Sequence, residues 1–460
     1  MSPSTPAPAA PAPDGAAGDL RRLLDELPAE ELGAELHGLV RELYPICRSI
    51  TGEGLRRSLR LLGRIAPLVL EEVPSGTPVL DWVVPPEWTF RGARLTGPGG
   101  EVIADAGLLN LHLVNYSAPF RGTLSLEELQ PHLHSLPDQP GLVPYRTSYY
   151  REDWGFCLSH ERRAGLRPGP YQVLVDTSLA PGSLTYGEAV VPGALADEVL
   201  ISAHCCHPSL ANDNLTGMVI AAALARLLGG LRPRYTYRFL FVPGTIGSIA
   251  WLARNEERAR RVAHGLVAAC LGDRGRLTYK RSRRGDAEID RAVAHVLAHG
   301  GEPHELRDFT PYGYDERQYC SPGFDLPVGS LTRTPHGEYP EYHTSGDDPS
   351  FVVPDRMVDS LRRYLEVFEV LEGNLTYRNL SPRGEPQLGK RGLYGPVGGA
   401  SHAVPSQMAM LWVLNLCDGT RPLLDVAARA KLPFGEVRTA ARALQAAGLL
   451  AVVPGRGADR

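Results

Sequence analysis

The sequence predicts a mixed α/β domain, its mostly parallel sheet covered by helices on both faces, with an inserted β-rich unit and a winged-helix tail. Three observations carry this. Largely apolar runs of strand length at 199–203, 237–242 and 266–271 alternate with helical patterns over 215–228 and 247–260, and strands that lack polar alternation are buried on both faces. Between Pro74 and His160 the pattern changes to short β-like runs broken by Pro and Gly. From Pro405 onward, helical stretches at 408–416, 421–431 and 435–449 precede a hairpin-like run at 450–454, which makes three helices and a wing.

Taken in order, the first 18 residues are rich in Pro and Ala, with no basic residue ahead of an apolar core, so they read as a flexible leader and not as a secretory signal. Leu20, Leu23, Leu24 and Leu27, then Leu32, Leu36, Leu39, Val40 and Leu43, keep an apolar stripe at helical period. In the following loop, Cys47 to Gly54, Thr51 is placed to cap the next helix and Gly52 and Gly54 suggest a tight turn, while a functional role stays equally open. The β-like runs of the insertion are 79–84, 93–95, 102–104 and 111–114, and 171–175 is assigned to the α/β sheet. The resulting division is a leader at 1–18, an α/β domain at 19–73 and 161–380, an insertion at 74–160 and a winged helix at 385–460.

Composition narrows the function classes. With 460 residues, 43% hydrophobic and 22% charged, the chain is long enough for two or three packed domains, and a formal charge of −4 gives no field for nucleic acid or an anionic membrane. The third helix of the tail carries only Arg438 and Arg442 as basic residues, so that module reads as a packing or dimer contact. The best apolar run, 215–228, is interrupted by Thr216, Gly217 and Arg226, too short to span a bilayer. Seven scattered cysteines without a CxxC pair speak against a disulfide framework, and the chain is read as cytoplasmic and reduced.

Chemistry concentrates at strand ends. His204 closes the run 199–203, where open α/β sheets place their active sites, and Asp213 follows between Asn212 and Asn214. Alone, His204 fits a buried structural histidine; together with Asp213, whose oxygens the neighbouring amides can hold, it suits a metal site. His343 lies in the carboxylate-rich segment Gly337-Glu-Tyr-Pro-Glu-Tyr-His-Thr-Ser-Gly-Asp347, where Asp347 is placed to fix its tautomer. Asp273 follows the third apolar run, in a turn where a solvated aspartate is the competing reading.

In this order, His204, Ala211-Asn-Asp-Asn-Leu-Thr-Gly217, Gly247-Ser248, Asp273 and His343-Thr-Ser-Gly-Asp347 resemble the co-catalytic zinc aminopeptidases. The whole chain, through Leu43-Tyr-Pro-Ile-Cys-Arg-Ser-Ile-Thr-Gly-Glu-Gly54, Phe241-Val-Pro-Gly-Thr-Ile-Gly-Ser248 and Asp315-Glu-Arg-Gln-Tyr-Cys-Ser-Pro-Gly323, resembles bacterial aminopeptidase-like proteins with an inserted β-domain and a C-terminal winged helix. The resemblance implies one or two zinc ions, held by His204 and His343, bridged by Asp213 and completed by Asp273. It also implies hydrolysis of a peptide or amide bond next to a free amine, in a small peptide or aminoacyl substrate.

Two departures from that pattern shape the expectation. Cys206 stands where the pattern has the Asp of His-x-Asp, and Phe241-Val-Pro-Gly-Thr245 stands where it has a Glu-Glu pair. His207 is placed to supply a replacement ligand or to cap or contact substrate, and the Cys205-Cys206 thiolates are a further zinc option. Asp315 and Glu316 are the first candidates for the proton carrier, followed by Glu338 and Glu341, with Arg317 or Tyr314 holding a substrate group. Thr245, Gly247 and Ser248 offer helix N-terminal N–H groups for an oxyanion, or plain capping. The alternative function is a pseudo-peptidase that binds an amino-terminated ligand or partner without cleaving it. The insertion and the tail both offer contacts for a homo-oligomer.

Overall fold

Strand Glu198–His204 is buried at all seven positions and lies inside an eight-stranded sheet, which is why its central run Val199-Leu-Ile201 shows no polar alternation. In a computed structural model that describes residues 15–393 and 406–454, the strand order is Val69–Pro74, Ser183–Val191, Thr236–Val242, Glu198–His204, Val262–Ala268, Val328–Thr332, Leu277–Lys280 and His304–Arg307. The strands at the centre run parallel: Glu198–His204 pairs with Thr236–Val242 and Val262–Ala268, and the latter pairs with Val328–Thr332. Their C-terminal ends therefore open on one edge of the sheet, and the loops that leave this edge carry the site.

Helix Gly217–Gly229 packs on one face of the sheet with Ala29–Leu43 and Pro354–Gly373. Its run of Ala, Val, Ile and Leu is buried from Gly217 to Ala225. Each large aliphatic side chain placed there contributes about 1.5–3 kcal/mol. On the other face lies helix Ile246–Arg254, with Trp251 fully buried among side chains of the sheet and the insertion.

The insertion differs from the sequence expectation in its boundary. Strand Pro170–Ala180 pairs with Glu87–Thr96 and Phe120–Ser125, so it belongs to the insertion's four-stranded antiparallel sheet and not to the α/β sheet. The physical sign was present in the residues: Tyr171, Val173 and Val175 point inward while Gln172, Leu174 and Asp176 face outward, the alternation of a half-covered antiparallel strand. The chain then enters the large sheet through Ser183–Val191, a strand the sequence reading lacked. Residues 110–112 form a 3₁₀ turn, with Leu111 in a small apolar cluster, where a strand was expected.

At the N-terminus, helix Gly15–Asp25 begins within the expected leader and buries Ala16 and Ala17; residues 1–14 lie outside the described residues. In the tail, helices Gln407–Leu416, Leu423–Ala430 and Phe434–Ala446 accompany a three-stranded sheet whose middle strand is Thr376–Asn379. The winged-helix unit thus starts before residue 385. Arg438 of its third helix is buried and pairs with Glu369 of Pro354–Gly373 at 2.9 Å, so this side chain packs against the α/β domain. Among the described residues, no helix is long and apolar enough to cross a membrane.

The Cys47–Gly54 loop is fixed by close backbone approach. A Cβ on Gly54 would lie 1.8 Å from the Cys47 carbonyl oxygen, and Gly52, at φ 96°, would bring one within 2.2 Å of the Trp88 carbonyl. Thr51 caps no helix; its hydroxyl accepts from Trp88 N–H at 3.0 Å and ties the loop to the insertion. Gly54→Ala is expected to lower folding stability by about 2 kcal/mol or more. A chemical denaturation midpoint unchanged from the parent chain would contradict this account of the loop.

Candidate metal centre

Three histidines singled out by the sequence meet around the Asp213 carboxylate. His204 comes from the end of its strand, His207 from the following loop, Asp213 from the turn Ala211–Thr216, and His343 from the loop after Val328–Thr332. Asp213 Oδ1 lies 2.8 Å from His204 Nε2, and Oδ2 lies 3.3 Å from His207 Nδ1 and 3.0 Å from His343 Nε2. The Tyr314 hydroxyl donates to Oδ2 at 2.9 Å. His204 and Asp213 are fully buried, and the ligand-type atoms of His204, His207 and Asp213 all lie within 4.8 Å of one another.

The chemistry of this donor set fits a divalent metal. Burial works against charge on Asp213, but the His207 and His204 imidazoles hold its carboxyl well below the usual range, so it is an anion. Burial lowers His204 and His343, against the pull of Asp213, which favours neutral rings, whereas at His207 burial is outweighed by the neighbouring Cys206 and Asp213, which raise the imidazole well above its usual range. His207 Nδ1 and His343 Nε2 are buried and have no hydrogen-bond partner despite their closeness to Asp213. Such nitrogens are costly to leave unsatisfied, and a shared cation would satisfy both.

The surroundings hold each group in place. Arg48, fully buried in the Cys47–Gly54 loop, donates from Nε and Nη2 to the His207 carbonyl at 3.1 and 2.8 Å and from Nη1 to the Leu43 carbonyl at 2.6 Å. The insertion grips the His343 loop: Tyr145 N–H donates to the His343 carbonyl at 2.7 Å, and Ser345 N–H donates to the Val143 carbonyl at 2.8 Å. Tyr314 stacks on His204 at 4.1 Å and Tyr342 on His343 at 3.9 Å, and the Tyr145 ring meets both His207 and His343 edge-on. Arg48 and Tyr145 are not singled out by the sequence; Arg48 is signalled only by its loop, through Gly52, Gly54 and the family-like segment Leu43 to Gly54, and Tyr145 by nothing.

Other expected roles are reassigned. Asp273 does not join the cluster: Oδ1 accepts from Gly275 N–H and the Thr334 hydroxyl at 2.6 Å each, and Oδ2 from the Asn212 amide at 3.0 Å. It braces Asn212, the neighbour of Asp213. Asp347 does not orient His343 through its carboxylate, which accepts instead from the backbone N–H groups of Asn212 at 2.6 Å and Asp213 at 3.0 Å. Glu316 is turned away, paired with Lys280 and lining a separate cavity of about 240 Å³.

Asp315 lies where a carboxylate was missing from the sequence pattern. It is fully buried, accepts from the Ser248 hydroxyl at 2.7 Å, and leaves Oδ2 without a partner. A Cβ on Gly244 would lie 3.9 Å from that oxygen and 3.1 Å from His204 Cβ. Burial pushes its carboxyl up to about 7, opposed by the Ser248 hydrogen bond. Gly244 and Thr245 form part of the wall of a cavity of about 390 Å³ that also reaches His207 and His343.

These features define the class: an aminopeptidase-like α/β protein with an inserted β-sheet and a C-terminal winged helix. Residues 37–374 match the family described as "Domain of unknown function (DUF4910)", and the chain belongs to it; residues 375–452 match the winged helix-turn-helix family. A Clostridium acetobutylicum protein named "Putative polysaccharide biosynthesis protein with aminopeptidase-like domain" is 46% identical over 425 residues, covering 92% of this chain and 98% of that one. The crystal structure of a "putative peptidase" from the same species superposes with a TM-score of 0.90 at 44% identity, over 95% of this chain and 100% of that chain. The zinc aminopeptidase BSAP of Bacillus subtilis shares the fold, with a TM-score of 0.55 at 13% identity over 74% of this chain and 95% of its own.

Two outcomes are expected. Zinc content measured by mass spectrometry should stay close to that of the parent chain in Asp273→Asn, and zinc affinity should fall by roughly tenfold or more in His343→Ala; equal loss in both would restore Asp273 as a ligand. For Asp315, the folded chain retains a proton that the unfolded chain releases near pH 4, so its stabilising effect is present below about 4 and lost as pH rises through about 7. Asp347, also pushed up to about 7 by burial, acts in the same direction, so metal-free protein should lose thermal stability across that window and Asp315→Asn should remove part of the decline in a melting series.

Proposed function

We propose that the chain is a zinc-dependent hydrolase of a peptide or amide bond, with Asp315 as its proton carrier. The observation that carries this reading is the convergence of three imidazoles on the buried Asp213 carboxylate at 2.8 to 3.3 Å, beside a cavity large enough for a small amide. His204, His207, Asp213 and His343 would hold one metal ion, since Asp273 is committed to Asn212, Gly275 and Thr334. A bound zinc ion supplies Lewis-acid polarisation of the scissile carbonyl.

The rest of the work falls to the chain's own groups. Asp315 Oδ2, unpartnered and with its carboxyl raised to about 7 by burial, is suited to accept a proton and return it to a leaving amine. Ser248 holds the other oxygen and so fixes the direction of the free one. The Tyr314 hydroxyl donates to Asp213 and lies 2.8 Å from the Tyr342 hydroxyl, so it helps to orient the carboxylate. The free amine next to the cleaved bond, and the small peptide or aminoacyl nature of the substrate, rest on the aminopeptidase likeness. Seven free cysteines support a reducing, cytoplasmic setting.

A non-catalytic reading draws support from Gly244 and Thr245, which bring no carboxylate of their own to the site. The two separate on one experiment. In zinc-loaded protein assayed on a panel of aminoacyl and peptidyl amides, Asp315→Asn is expected to lower kcat by about 10²–10⁴-fold with zinc retained, and to abolish the rising limb of the rate near pH 7. Glu316→Gln should change kcat far less. Absence of turnover on the whole panel by zinc-replete parent protein would favour the binding protein.

A further inference from the structure

The cavity beside the metal centre has an unusual charge balance. Its walls carry His207, His336 and His343, five tyrosines, Trp82 and Arg317, and no aspartate or glutamate is among the residues that line it. The nearby carboxylates do not form its wall: Asp213 is enclosed by imidazoles, Asp315 approaches the cavity only from behind Gly244, and Glu316 is paired with Lys280 in the neighbouring cavity. A ligand entering here meets hydroxyls, rings and one permanent positive charge.

Arg317 is that charge. Several buried or half-buried arginines of the α/β domain have anionic partners, as Arg238 has Glu198 and Glu188, Arg333 has Asp359 and Arg307 has Glu338. Arg317 makes no hydrogen bond and no ion pair within 4.0 Å to any described residue, and its Nε is buried without a partner. A half-buried guanidinium without an acceptor is costly, and its planar fork of N–H donors matches a carboxylate or a phosphate.

We propose that Arg317 is a specificity residue that binds an anionic group of the substrate, so that the natural substrate is a small amide carrying a carboxylate or a comparable anion. This deepens the hydrolase reading and rests on it for the word substrate; the anion site itself does not depend on turnover. It also gives the ligand two fixed ends, the anion at Arg317 and the amide toward the His204, His207 and His343 cluster. The aromatic walls contributed by Trp82, Tyr149 and Tyr150 of the insertion would cover what lies between.

The test is a binding comparison by titration calorimetry with N-acetylglycine, its uncharged amide and inorganic phosphate, on full-length protein with zinc and after chelation. N-acetylglycine is expected to bind at least tenfold more tightly than the amide, and Arg317→Ala to remove that preference in both metal states while Arg317→Lys restores part of it. Inorganic phosphate binding that is lost in Arg317→Ala, in place of N-acetylglycine binding, would identify the anion as a phosphate group within the same proposal. A preference that disappears on chelation and survives Arg317→Ala would show the anion sitting on the metal and overturn it. So would equal binding of acid and amide by folded parent protein. Because both metal states are measured, failure of hydrolysis and failure of the anion site give different results.

Discussion

A carboxylate with no exposure to solvent has to be neutralised where it stands, and the architecture around Asp213 answers that requirement. Three imidazoles and a tyrosine hydroxyl lie within 3.3 Å of its oxygens. The backbone N–H of Asp213 is held in turn by Asp347, and the preceding Asn212 is held by Asp347 and Asp273. Two carboxylates that the sequence offered as ligand and histidine partner are thus spent on keeping the turn Ala211–Thr216 in place. Among the described residues, the centre is a nest of acidic groups in which Asp213 faces the three imidazoles.

Distant parts of the chain converge on it. The Cys47–Gly54 loop sends Arg48 to the carbonyl of His207, and the insertion fastens the loop that bears His343 through Tyr145 and Val143. Asn115 of the insertion links the two, donating to the Arg48 carbonyl at 2.7 Å and accepting from the Ser49 hydroxyl at 2.6 Å. The insertion is therefore part of the site's framework and supplies Trp82, Tyr149 and Tyr150 to the cavity wall. The tail plays a different part: its third helix turns Arg438 onto Glu369, which is consistent with a packing module.

Much of the fold was legible because its signals are local. Apolar runs such as 237–242 declare a strand buried on both faces, and the spacing of Leu32, Leu36, Val40 and Leu43 declares a helix face. Local pattern is insufficient where the pairing partner decides. Strand Pro170–Ala180 was recognised as a strand, but its place in the insertion's sheet depends on Glu87–Thr96, more than seventy residues earlier. The start of the winged-helix unit was missed for the same reason, since Thr376–Asn379 becomes a central strand only when Asp418–Pro422 and Leu450–Val452 join it.

The sequence by itself determined the residue types at the strand ends, His204, His207, Asp213 and His343, and hence that a metal-binding chemistry was available. It also determined the absence of a glutamate pair at Phe241 to Thr245. Only the tertiary structure decided where each acid turns: Asp273 and Asp347 to backbone and amide donors, Glu316 to Lys280, and Asp315 to the space beside Gly244. The reason is physical. A carboxylate's role is set by burial and by the donors that reach it, and those donors come from segments far apart in the chain, which no local spacing can specify.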